Sequence, residues 1–335
     1  MQVTPLVWAI TIAVTIAFFV FEFFTHVRKP HEPTIAESAR WSVFYVALAG
    51  VFGVGVGLVS GWQFGGEYFA GYLTEKALSV DNLFVFLIVM TGFAVPRAYQ
   101  QKVLMIGIVI ALIMRGAFIA AGAALIENFS WIFYVFGAVL LVLAYRQAFG
   151  GHESDPTDTR FMRFVRRLLP VSDAYAGDRL TVVKGGRRFV TPMLLTIVAI
   201  GFIDLVFALD SIPAIYGLTE EAYLVFTANA FALMGLRQLY FLIGGLLERL
   251  VYLAQGLAVI LGFIGVKLVL HALHVNELPF INGGEGVAWA PEIPIWFSLL
   301  FIAATVAVAT VASLVKTRAD RPKAVTDVDQ PPARR

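Results

Sequence analysis

The chain has 335 residues, 59% hydrophobic and 14% charged, with a formal net charge of +2 and a mean hydropathy of +0.81. A soluble domain carries about 25% charged residues, so this composition excludes a soluble enzyme and specifies an integral membrane protein with little material outside the bilayer. The chain has no cysteine, which removes disulfides, thiolate metal sites and cysteine catalysis.

Nine apolar runs are long enough to cross about 30 Å of hydrocarbon. They are 3–24, 41–60, 67–91, 103–125, 129–149, 191–216, 222–247, 250–273 and 294–315. The first reads as a retained span rather than a cleaved signal. Its front end, MQVTPL, lacks a positive charge, no small-residue cleavage site follows, and HVRKP comes after the run. When the connections are numbered alternately from an outside amino terminus, 21 of the 25 basic residues fall inside. The other four, Lys76, Arg115, Arg237 and Lys267, lie within spans, and the outside connections hold acids only. The positive-inside rule therefore predicts nine spans, with the amino terminus outside and the carboxyl terminus cytoplasmic.

One connection, 150–190, has any size, and with Arg146 it carries nine basic residues. It predicts a short amphipathic helix resting on anionic headgroups and acting as a topology determinant, or else a partner-binding segment. The tail 316–335 is polar, contains proline and predicts disorder.

Two stretches do not suit a lipid-facing helix. EKALSVDN (75–82) places Glu75, Lys76, Asp81 and Asn82 in the third span, and DLVFALDS (204–211) places Asp204, Asp210 and Ser211 in the sixth. Each is followed by a span with one arginine, Arg115 or Arg237, that stands seven residues before a glycine, Gly122 or Gly244. Spans 3–5 (67–149) and 6–8 (191–273) thus read as two three-helix units of opposite orientation. This is the arrangement of secondary transporters with a midplane site. A charged Asp at a helix centre costs about 2.5–3.5 kcal/mol on insertion scales. The four acids therefore need partners: either the four basic residues within spans, as plain ion pairs, or a cation.

Six residues turn a helix by about 600°, leaving the two acids of each stretch about 120° apart and about 9 Å along the axis. One ion reaches both only at a broken helix or at two stations. Pro213 stands three residues after Asp210 and predicts a break that frees a carbonyl near Leu209. Asn82 and Asn229 supply amide oxygens. An all-oxygen set without cysteine or a paired-histidine motif suits the hard divalent ions Mg²⁺, Ca²⁺ and Mn²⁺. His271 and His274 read as interfacial, and the glycines of GVFGVGVG (50–57) as close helix contacts.

EKALSVDNLFVF, GFIDLVFALDSIPAIYGLT and VFTANAFALMGLRQLYFL, in that order, resemble the signature stretches of the TerC family of integral membrane proteins, Alx-type bacterial members above all. The resemblance runs from about residue 40 to 275. The family is associated by name with tellurite resistance. Its Alx-type members are linked to manganese export and pH response, so the resemblance narrows the ion to Mn²⁺. The expected protein is an all-α polytopic transporter of the bacterial inner membrane that exports Mn²⁺, with protons as counter-ion and neither a resident cofactor nor a nucleic-acid partner. Asp81 and Asp210 are the first-choice ligands, with Glu75 and Asp204 as second-station ligands or proton carriers. Asn82, Ser211 and Asn229 are supporting oxygens, and Arg115, Arg237 and Lys76 balance charge. The alternative is a membrane scaffold for tellurite or metal stress that acts through the basic loop. Oligomeric state is left open.

Overall fold

A computed structural model describes residues 1, 3–27, 33–149, 160–172, 175–184, 186–243, 250–287 and 289–319. Helices α1 (Pro5–Glu22), α2 (Ile35–Ser60), α3 (Trp62–Gly92), α4 (Arg97–Asn128) and α5 (Ile132–Phe149) come first. A short helix α6 (Arg160–Leu168) and a hairpin, β1 (Thr181–Lys184) and β2 (Arg187–Val190), follow. Then come α7 (Pro192–Tyr216), α8 (Ala222–Leu233), α9 (Leu236–Ile243), α10 (Leu253–His274) and α11 (Ile295–Ala319). The protein is a polytopic membrane protein of the all-α class, with one two-stranded hairpin outside its long helices. Among the described residues, seven helices are long and apolar enough to cross a bilayer: α1, α2, α4, α5, α7, α10 and α11. The other two expected spans are α3, whose charges lower its hydropathy, and the seventh, which is divided between α8 and α9.

Local chemistry sets the helix starts. Thr4 and Thr34 cap α1 and α2 by accepting from the amides of Val7 and Glu37 at 3.4 and 3.2 Å. Thr34 and Glu37 have the spacing of a capping box. Pro5 and Pro192 occupy the first turns of α1 and α7, where the missing amide costs nothing. A single residue, Gly61, joins α2 to α3 at φ 106°, a backbone that favours glycine. The tight hairpin presses α2 on α3 where the glycine run predicts contact. A Cβ on Gly65 would lie 3.0 Å from the Gly57 Cα.

α3 packs along α8, α7 along α4, and α5 along α10. The last pair crosses at two glycines, each of which would aim a Cβ at the other's carbonyl, at 3.0 Å from Gly137 and 3.2 Å from Gly265. α3, α4, α7 and α9 share one core, into which α6 inserts Met162 and Val165.

Three expectations change. Pro213 does not break the sixth span, since α7 runs unbroken to Tyr216. The break falls in the seventh span instead, at Met234 and Gly235, and Gly235 has φ 78°. The basic connection is more than one amphipathic helix, because β1 and β2 pair antiparallel from Thr181↔Val190 to Lys184↔Arg187. The segment is also tied to the membrane helices: the Tyr175 hydroxyl donates to the Phe93 carbonyl at 2.7 Å, and Lys102 pairs with Asp178 at 2.7 Å. Of the tail, 316–319 continue α11, and 320–335 lie outside the described residues.

Candidate functional site

Arg115 is the largest fully buried side chain among the described residues. From α4 it spans α3 and α7. Its guanidinium pairs with Glu75 and donates to both oxygens of Asp204, at 3.2 Å from Nε and 3.2 Å from Nη2. The three side chains are between 0 and 2% exposed. Two carboxylates and one guanidinium leave the triad one negative charge in excess, away from water.

The second acid of each stretch lies at the edge of this group. Asp210 is within electrostatic reach of both Arg115 and Asp81. Asp81 accepts from Gln147 Nε2 at 3.2 Å, which ties it to α5. Asn82 is buried beside it on α3. α3, α7 and α8 meet at Gly71, where a Cβ would lie 3.3 Å from Ile215 and 3.4 Å from Ala228. One helical turn below that contact are Thr74 and Glu75 on α3 and Ser211 on α7, and Asn229 follows Ala228 on α8.

The hydroxyls of Thr74, Ser79 and Ser211 and both side-chain amide atoms of Asn229 are buried without a hydrogen-bond partner among the described residues. Most buried polar groups find one. Asp81, Asp210, Glu75, Asp204, Asn82, Ser211 and Asn229 therefore stand on the three facing helices α3, α7 and α8. Among the described residues, however, no three carboxylate or imidazole side chains are gathered closely enough to hold one metal ion.

The charge-balancing residues divide differently from the sequence expectation. Arg115 serves the acids of both stretches. Lys76 instead donates to the Ala232 carbonyl at 3.1 Å, at the end of α8 where the seventh span breaks. Arg237 donates to Gln101 at 2.6 Å and to Glu22 of α1 at 3.3 Å, while Gln238 donates to the same Glu22 oxygen at 2.6 Å. Glu22 is 3% exposed and absent from the sequence reading. The signal was there to find: FVFEFF is an acid inside an apolar run, the same anomaly as Glu75.

At the opposite end of α3 a cleft of about 620 Å³ gathers Glu67, Glu220, Glu221, Glu292, Lys267 and His271. Thr219 donates to Glu67 at 2.6 Å, His271 pairs with Glu220 at 3.0 Å, and His274 with Glu292 at 3.2 Å. The His271 hydrogen bond holds the Glu220 carboxyl below the usual range. Glu67 precedes Glu75 by two turns on α3, about 12 Å along the axis. The two histidines, near the end of α10, thus each meet a glutamate.

The profile of the integral membrane protein TerC family matches residues 60–321. The chain belongs to the TerC family. An uncharacterized membrane protein of Mycobacterium tuberculosis is 50% identical over 323 residues, 95% of this chain and 81% of that protein. One from Myxococcus xanthus is 37% identical over 331 residues, 96% and 97% of the two chains. The protein of Photorhabdus laumondii named as the membrane-bound redox modulator Alx is 35% identical over 277 residues, covering 80% of this chain and 87% of its own. No solved structure matches the chain. TerC membership accounts for the resemblance carried by the two acidic stretches. It leaves α1 and the first 25 residues of α2, Ile35–Val59, outside the matched region.

Proposed function

We propose that this TerC protein is a secondary transporter that exports a hard divalent cation, Mn²⁺, in exchange for protons, from a bacterial inner membrane with its amino terminus outside. The observation that carries the reading is the pairing of Glu75 and Asp204 on Arg115, with Asp210 within electrostatic reach of Arg115 and of Asp81, beside the oxygens of Thr74, Ser211 and Asn229, which have no partner among the described residues. In this reading Arg115 holds the carboxylates while the ion is away. An arriving cation draws Asp81 and Asp210 together as its first ligands and takes Asn82, Ser211 and Asn229 as neutral oxygens. Protons on the same acids return the site to its empty form, so that charge is carried in both directions.

Two inverted repeats, α3–α5 and α7–α10, belong to this proposal. Their support is the exchange of partners between them: α3 lies on α8 as α7 lies on α4, and α5 lies on its counterpart α10. An in-plane two-fold axis relates such pairs. The acidic cleft around Glu67 is then the outer mouth.

The test is the metal content, by elemental analysis, of Mn²⁺-loaded cells that express the wild type, Asp81→Asn or Asp210→Asn. The wild type is expected to lower cellular manganese. Each variant, present in the membrane at the wild-type level, is expected to leave it where cells without the protein have it. Identical behaviour of all three proteins refutes the transport reading.

A second reading, a scaffold for tellurite or metal stress, is favoured by the folded basic segment α6–β2, which exposes Arg163, Arg167, Arg187 and Arg188. Deleting 155–185 discriminates between the two. Lost stress resistance with manganese flux intact supports the scaffold.

A further inference from the structure

α1 and α2 present matching faces to a groove. Val14, Ala17, Phe18 and Phe21 of α1 stand opposite Glu37, Arg40, Trp41 and Phe44 of α2, and the groove between them holds about 760 Å³. Both sets have the i, i+3, i+4, i+7 spacing of one helix face. The two charges lie together at the end where α2 begins, and the remaining wall is apolar and leads toward the middle of the bilayer. The helices touch through Phe21 and Trp41, whose ring centroids are 6.4 Å apart.

Inside a bilayer such a volume does not stay empty, and an apolar wall does not retain water. Its shape and charge order match one occupant. We propose that the α1–α2 groove binds a glycerophospholipid, with one acyl chain along Val14, Phe18 and Phe44 and the phosphate on Arg40. Three observations support the headgroup end. Arg40 is exposed near the start of α2 and has no ion-pair or hydrogen-bond partner among the described residues. A guanidinium presents its donors in a fork that fits a phosphate. Arg40 also lies close to the amino-terminal end of α2, where the helix dipole favours an anion. The site is independent of the acidic cluster, and it lies outside the region matched to the family profile.

The occupant is a membrane lipid rather than a soluble phosphate, because the anion site opens directly onto an apolar wall. The test uses the full chain purified in detergent and then stripped of loosely held lipid. Native mass spectrometry counts phosphatidylethanolamine retained per chain. Two variants address the two halves of the site: Ala17→Phe fills the apolar wall, and Arg40→Gln removes the phosphate donor. Ala17 is exposed, so the added ring displaces no packed side chain. Melting in the same detergent confirms that each variant is folded.

One retained lipid in the wild type, lost from Ala17→Phe and reduced at least tenfold in Arg40→Gln, supports the proposal. Equal retention in Ala17→Phe and the wild type overturns it. Loss from Ala17→Phe with full retention in Arg40→Gln overturns the assignment of the phosphate to Arg40. Glycerol 3-phosphate added at the same concentration is expected to leave the melting midpoint unchanged. A rise equal to that given by the phospholipid overturns the choice of a lipid.

Discussion

Arg115 shows how one residue turns a costly sequence feature into a structural and a chemical one. An uncompensated carboxylate in hydrocarbon costs several kcal/mol, and Glu75 and Asp204 share one guanidinium that is itself fully buried. Removing one member of such a group leaves a buried charge, at a cost of about 3–5 kcal/mol. Arg115→Gln is therefore expected to lower the melting midpoint of the detergent-solubilised protein sharply. An apolar and neutral set, Arg115→Leu with Glu75→Gln and Asp204→Asn, is expected to recover most of that loss. The same triple variant separates the two roles of the group. It should melt near the wild type and yet fail to lower cellular manganese. Export at the wild-type level would make the triad purely structural. Glu22 teaches a related lesson, since an acid at the end of an apolar run signals a buried partner, here Arg237, as clearly as one in the middle.

At the scale of the helix, the position of the break depends on what surrounds it. Pro213 stands near the end of α7. The helix continues past it, with the Gly217 amide donating to the Pro213 carbonyl at 2.9 Å, so the proline costs α7 the bond to the Leu209 carbonyl without ending the helix there. The seventh span breaks because Gly235 adopts φ 78° with the Tyr45 ring lying 2.9 Å from where a Cβ would stand. Lys76 occupies one of the carbonyls left free at the end of α8. Gly235→Ala combines a left-handed backbone with a close contact and is expected to destabilise by about 1–3 kcal/mol. Pro213→Ala, in a helix already continuous, is expected to melt at or slightly above the wild type. If Pro213→Ala destabilised the protein more than Gly235→Ala, the break would be wrongly placed.

For the molecule as a whole, the basic segment between α5 and α7 is part of the fold. Met162 and Val165 enter the core of α3, α4, α7 and α9, and Lys102 holds Asp178. The Lys102 hydrogen bond and charge keep the Asp178 carboxyl below its usual range. Because the folded value is depressed, the stabilisation is complete above about pH 4, the ordinary carboxylate value, and is lost as pH falls through the depressed one. Asp178 is half exposed, so solvent screens the pair, which is worth about 1 kcal/mol or less. Hydrogen exchange in β1 and β2 is expected to show no change in protection between pH 7 and 5, after correction for the intrinsic rate. Asp178→Asn is expected to exchange faster across that range, by less than about fivefold. Equal protection in the variant and the wild type would show that the apolar contacts hold the segment alone.

Sequence alone determined the class of the molecule, because helices that cross a bilayer need long apolar runs and every charge placed within them is costly. Among the described residues, eight of the nine apolar runs each fall on one long helix and the seventh is divided between α8 and α9, and the acids singled out on cost lie on the facing helices α3 and α7. Tertiary structure decided which charge meets which. Arg115 and Arg237 occupy matching places in the sequence, yet one serves Glu75 and Asp204 and the other Glu22 and Gln101. Charge pairing depends on side chains from helices far apart in the chain coming within a few ångströms. No local spacing contains that information. The same reason moved the break from Pro213 to Gly235: a proline only removes one hydrogen bond, whereas the neighbouring Tyr45 ring and the lysine at the free carbonyls fix where a helix stops.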